Sequence, residues 1–132
     1  MTLSEIQLYL TQLPNVTTVD AMGFRFFNYS TDQMRPFVSL IESDNEHDRF
    51  SNLTRAGVFR LNIGVSRDSF KALFPDAKAD WDYTELDKFM PHPEYAAFHF
   101  ICVLNPAENT LKRTLQLIDE AHAIAKVRFE SK

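Results

Sequence analysis

One cysteine, three glycines and no run of basic residues are what this chain of 132 residues has least of. The lone Cys102 excludes an intrachain disulfide and fits a reducing, intracellular setting. Three glycines leave too few for a phosphate-cradling loop, so neither a dinucleotide fingerprint nor a Walker A loop can be written from the chain. Fourteen Lys and Arg stand against eighteen Asp and Glu, for a net charge of −4 and a pI near 5.5. The basic residues are scattered, which disfavours nucleic-acid binding, since that needs a basic stripe. No apolar run approaches the ~18 residues of a membrane-spanning helix. The segment from Met1 to Leu13 carries Glu5 and lacks the basic-then-apolar order of a signal peptide. These absences predict a cytoplasmic protein with no membrane association.

Motif-based chemistry is equally thin. The histidines His47, His92, His99 and His122 form none of the short pairs that bind zinc, and no metal site is expected. No serine sits in a nucleophile elbow.

What the chain does have is apolar mass: 45% hydrophobic residues and twelve Phe. A single domain spanning 1–132 is expected, burying ~68% of its unfolded surface. The organising stretch is Gly57-Val58-Phe59-Arg60-Leu61-Asn62-Ile63-Gly64-Val65. Phe59, Leu61, Ile63 and Val65 alternate with Val58, Arg60, Asn62 and Gly64, the period of a strand with one face on the core. Arg60 and Asn62 then project together from the other face. Ser66 is placed to cap a helix whose buried stripe is Phe70, Leu73 and Phe74 and which Pro75 ends.

Earlier in the chain, Thr2-Leu3-Ser4-Glu5 is a capping box opening a helix over 3–13. Strands are predicted over 16–20, 24–29 and 37–42, with a polar loop over 30–35. Residues 43–54 are polar and read as a solvated connection. Trp81 is expected to pack over the core edge. A short helix is predicted over 82–90, capped by Asp82, with Leu86, Phe89 and Met90 buried and Pro91-His92-Pro93 breaking it. A final strand over 98–104 is apolar on both faces, hence interior. Asn105-Pro106-Ala107-Glu108 reads as a helix start, and Leu111, Leu115, Ile118, His122, Ala125 and Phe129 share one face up to residue 129. The sum is an α+β domain: a mainly antiparallel sheet of about five strands, with N-terminal and long C-terminal helices on one side.

Three blocks resemble the signature of an uncharacterised bacterial family, a domain of unknown function. They are Ala56 to Val65, Asp82 to Pro93, and Cys102-Val103-Leu104-Asn105-Pro106. That resemblance implies no activity. Leu13-Pro14-Asn15-Val16 and Met34-Arg35-Pro36-Phe37-Val38-Ser39-Leu40 are similar to segments of MmcQ/YjbR-like domains, which implies a compact fold of the CyaY type. Some members of that group were proposed to bind DNA. Here Phe98, His99 and Phe100 fill positions that are basic or Trp in that group, so the DNA binding does not carry over.

Candidate ligand-binding residues are Arg60, Asn62, Tyr83, Asp87, His92 and His99. Arg60 and Asn62 on one strand face suit a carboxylate or phosphate, with Tyr83 and Asp87 completing a polar pocket. The competing reading is an ion pair between Arg60 and a carboxylate on the outer face. His92 and His99, with Asp87 or Glu94, suit an acid–base or metal site; otherwise Pro-His-Pro fixes a turn. Cys102 should be buried and inert. Phe24, Phe26, Phe27, Tyr29, Phe37, Phe59, Phe98 and Phe100 are either core or the lining of an apolar pocket. The leading expectation is a non-catalytic binding or interaction domain, with a small-molecule ligand or a homodimer as its partner. The alternatives are an enzyme joining His92, Arg60 and Asp87 in one cleft, and an apolar-ligand or haem carrier using His92 or His99.

Overall fold

The computed structural model describes residues 1–32 and 34–131; Gln33, in the loop expected over 30–35, lies outside them. The order is α1 (Leu3–Gln12), β1 (Val16–Ala21), β2 (Phe24–Tyr29), β3 (Val38–Ile41), β4 (Arg60–Gly64), α2 (Arg67–Leu73), β5 (Met90–Pro91), a 3-10 turn at Ala96–Phe98, β6 (Phe100–Leu104) and α3 (Leu111–Glu130). The strands make one antiparallel sheet in the order β1-β2-β3-β4-β6-β5. It has six strands where about five were expected. The extra one is β5, whose Pro91 is tolerated because an edge strand need not donate on both sides.

Local chemistry sets the helix starts. Thr2 Oγ1 accepts from the Glu5 amide at 3.2 Å, and Glu5 accepts from the Thr2 amide at 2.8 Å. Ser66 Oγ accepts from the Ser69 amide at 3.1 Å, opening α2. Glu120 of α3 ties that cap down, accepting from the Ser66 amide and the Ser69 hydroxyl.

The alternation of β4 holds. Phe59, Leu61, Ile63 and Val65 enter the main core with Ile6 and Leu10 of α1, Phe70 of α2, and Leu117, Ile118 and Ala121 of α3. All three helices therefore cover one sheet face. On the other face Ile41, Leu53, Val58, Met90, Cys102 and Leu104 form a smaller cluster.

Three expectations fail for one reason: distant partners outbid local ones. Residues 82–89 form turns and no helix. Asp82 does accept from Thr84, but the carboxylate of Asp87 is spent on residues 107–110, Leu86 is exposed, and Met90 joins the sheet opposite Cys102. Asn105 does not cap α3. It sits at φ 42, and its side chain bonds the Phe59 amide and the Gly57 carbonyl, so α3 begins at Leu111. The connection over 43–54 is not simply solvated: Asp48, Ser51 and Leu53 are buried against the outer face. A fourth difference has a local cause: β6 starts at Phe100 and not at 98, because His99 turns left-handed at φ 64.

Candidate ligand-binding cleft

The outer sheet face has a row of side chains set by register. Phe26 lies opposite Ser39, Ser39 opposite Asn62, Asn62 opposite Cys102, and Cys102 opposite Met90. In the adjoining row Gly64 faces Phe100. β3 and β4 thus contribute Ser39, Asn62 and Gly64, small or short groups, between the phenylalanines of β2 and β6. The result is a depression on the sheet. A Cβ added at Gly64 would lie 3.0 Å from the Phe100 ring, so the bare backbone there lets that ring lie low.

An open cleft of about 1120 Å³ follows this depression. Phe24, Phe26 and Phe100 wall it, Ser39 and Asn62 floor it, and Asp48, His92 and His99 border it. Phe24 and Phe26 stack at 5.6 Å. The cleft continues over the end of β4 to Arg67, Arg35 and Arg128 of α3.

Beside the floor runs a buried polar chain. Arg60 Nη1 donates to Asp48 Oδ1 at 3.0 Å and to Ser51 Oγ at 3.1 Å, and Nη2 donates to Asp48 Oδ2. Arg60 Nε donates to Asn62 Oδ1 at 2.9 Å, and Asn62 Nδ2 to Ser39 Oγ at 3.0 Å. Arg60 is 0% exposed. Its guanidinium is consumed by Asp48, so it does not line the cleft as an anion receptor. The ion-pair reading of Arg60 is the one the geometry matches.

His92 is 4% exposed and held in one tautomer. Its Nδ1 accepts from the amides of Glu94 and Tyr95, both at 3.0 Å. A nitrogen that accepts twice carries no proton, so the neutral ring carries it on Nε2. Among the described residues Nε2 has no hydrogen-bond partner. Burial, then the Arg60 charge, push His92 down to about 4 against the opposing pull of Asp48. The ring is therefore a neutral, fixed donor near pH 7.

The other candidates are placed elsewhere. Asp87 accepts from the amides of Ala107, Asn109 and Thr110 and from the Thr110 hydroxyl. Burial raises its carboxyl, but those bonds outweigh burial and hold it low. Its own amide bonds the Leu104 carbonyl, whereas the His92 amide bonds that of Phe100. The two residues thus sit at opposite ends of β6, four residues or ~13 Å of strand apart. Tyr83 donates to the Pro91 carbonyl at 2.7 Å and props β5. His99 lies over Phe70 with ring centroids 5.7 Å apart. Cys102 is wholly buried, and burial pushes its thiol up to about 12. Trp81 packs edge-on to Phe74 at the core margin, as expected. The aromatic set divides: Phe27, Tyr29, Phe37 and Phe59 are core, while Phe24, Phe26 and Phe100 face the cleft and Phe98 is 72% exposed at its edge.

Sequence reasoning missed Asp48 and Ser39. Alternation along 37–42 was a usable signal for Ser39. Nothing local marks Asp48, which lies among other charged residues in an irregular segment.

An α+β domain with an aromatic-walled cleft on its open sheet face is what the fold and geometry define. The chain belongs to the family of unknown function DUF6194, whose model matches residues 1–132. No curated protein and no solved structure matches it. Among the described residues no helix is long and apolar enough to cross a membrane, and no group of three or more His, Cys, Asp or Glu is placed to hold a metal ion.

Proposed function

We propose that this is a non-catalytic binding domain whose small-molecule ligand lies in the cleft on the outer sheet face. One observation carries the reading: His92, whose Nε2–H has no hydrogen-bond partner among the described residues, lines a cleft walled by Phe24, Phe26 and Phe100. A cleft with apolar sides and a few fixed polar groups is the usual form of a small-molecule site.

The same tautomer weighs against the enzyme reading and against a haem carrier that uses His92. With Nδ1 occupied and Nε2 protonated, His92 has no free lone pair, so it serves poorly as a general base or as a haem-iron ligand. The acid–base trio is also scattered: Arg60 is paired within the protein and Asp87 is at the far end of β6. We place the protein in the cytoplasm, on the strength of its single, buried thiol.

A fragment screen read by amide NMR tests the proposal. Shifts should cluster on Ser39, Asn62, His92 and Phe100. Hits gathered on another surface, or none at all, would sink it.

A second reading, a homodimer, is favoured by the exposed apolar side chains at the cleft mouth. Met22, Met34, Tyr95 and Phe98 all border it, Met34 being 90% exposed. Exposed apolar patches of this kind mark contact surfaces. Light scattering at increasing concentration decides that reading, which predicts a mass that doubles and falls back in the variant Phe98→Ser.

A further inference from the structure

The polar groups of the cleft are unbalanced in a way that specifies the ligand. The side-chain acceptors around its floor are already engaged, and the rings of His47 and His99 stand at its border. Asn62 Oδ1 accepts from Arg60, both oxygens of Asp48 accept from Arg60, and His92 Nδ1 accepts from two amides. Its donors are not. His92 Nε2–H has no partner among the described residues. Ser39 Oγ accepts from Asn62, which leaves its own hydrogen unassigned. Glu94, exposed at the edge, is the acidic exception.

Charge follows the same pattern. The chain carries −4 overall, yet three arginines border one end of the cleft. That end is where three segments meet. The Gly64 amide bonds the Phe37 carbonyl at 3.0 Å, bringing 64–67 beside 35–37, and Arg128 Nη2 bonds the Arg35 carbonyl at 3.2 Å. Arg128 has Asp32 at 3.9 Å. Arg35 and Arg67 have no ion-pair partner among the described residues. A donor-rich lining with uncompensated guanidinia is matched by an acceptor-rich anion.

We propose that the cleft takes an aromatic anion, a carboxylate or sulfonate-like acid whose ring lies between Phe26 and Phe100 and whose charged group meets Arg35 and Arg67. Ser39 and His92 then donate to oxygen acceptors on the ring. This rests on the reading of the cleft as a binding site and names the chemistry of its ligand. The trough suits a ring. Phe26 and Phe100 stand on strands three positions apart in the sheet, ~14 Å between backbones, with only Ser39 and Asn62 or Gly64 between them.

A matched pair of dyes tests it on the full chain: anilinonaphthalene sulfonate and its uncharged parent, phenylnaphthylamine. Fluorescence titration of both is made on wild type, on the double variant Arg35→Gln/Arg67→Gln, and on Phe26→Ala. Both arginines are exposed, so the double variant should keep its fold. The sulfonate should bind more tightly than the parent, and more weakly as salt is raised. It should lose about fivefold to tenfold in the Gln variant and recover with Arg35→Lys/Arg67→Lys. Phe26→Ala should weaken both dyes. If both bind alike and the Gln variant changes neither, the anion inference is overturned while the cleft reading stands. If neither dye responds to Phe26→Ala, or neither binds, both readings are overturned.

Discussion

Arg60 and Asp48 meet as a two-pronged ion pair sealed from water. Arg60 Nη1 reaches Asp48 Oδ1 at 3.0 Å and Nη2 reaches Oδ2, with the arginine wholly buried and Asp48 3% exposed. The pair pins the 43–54 connection onto the sheet and seals one side of the cleft. Removing one partner strands the other charge in a dry site, so Asp48→Asn should cost ~3–5 kcal/mol in urea denaturation. Replacing both, as in Arg60→Met/Asp48→Leu, should recover most of that loss, because desolvation of the two charges is then no longer incurred. Near-additive losses in the double variant would show that the pair is not coupled as the geometry indicates.

His92 makes stability depend on pH. Its pKa falls from an ordinary 6.5 to about 4 on folding, through burial first and then Arg60. The unfolded chain therefore takes up a proton that the folded chain refuses between these values. The contribution is fully present above pH 6.5 and is lost as pH falls from 6.5 to 4, amounting to about 3 kcal/mol at most. His92→Asn retains an acceptor for the Glu94 and Tyr95 amides and should flatten this slope. Denaturation at pH 7 and pH 4.5 for both proteins measures it. An unchanged slope in the variant would show that another group is responsible.

Asp87 caps the turn before α3 from a segment remote in sequence. Asp87→Ala leaves three amides and the Thr110 hydroxyl without their acceptor, and should lower stability by ~1–2 kcal/mol. Amide exchange at Asn109 and Thr110 should rise before exchange in the middle of α3. Because the folded carboxyl is held low, its contribution is present at neutral pH and is lost as pH falls through the folded pKa. Equal exchange along the whole helix in the variant would count against a local role.

Cys102 should be invisible to thiol reagents in the native state. It is fully buried in β6, and burial pushes the thiol up to about 12. Only a thiolate attacks a disulfide reagent, so labelling should wait for unfolding. Its rate should rise with denaturant in step with the unfolding rate. Fast labelling of folded protein would mean that the β6–β5 edge opens locally.

What the sequence determined by itself is local. The alternation of Phe59, Leu61, Ile63 and Val65 against Arg60 and Asn62 set two faces of β4. Thr2 with Glu5 and Ser66 with Ser69 started α1 and α2 within four residues of chain. The bounds of β2 followed from its aromatic run and the flanking turns. Only the tertiary structure decided the rest, because the deciding groups lie far apart in sequence. Arg60 could have met a ligand; Asp48, twelve residues away, took it. Asn105 had the chemistry of a cap, but the amide of Phe59 and the carbonyl of Gly57 claimed its side chain. Asp87 and Met90 looked like one helix until residues 107–110 bound the first and β6 paired with the second. The cleft itself is a product of register. Ser39 and Asn62 form a floor only because pairing sets them side by side between Phe26 and the strand that carries Phe100. Hydrogen-bond groups saturate with whichever partner folding delivers, and short-range pattern holds no record of which partner that is.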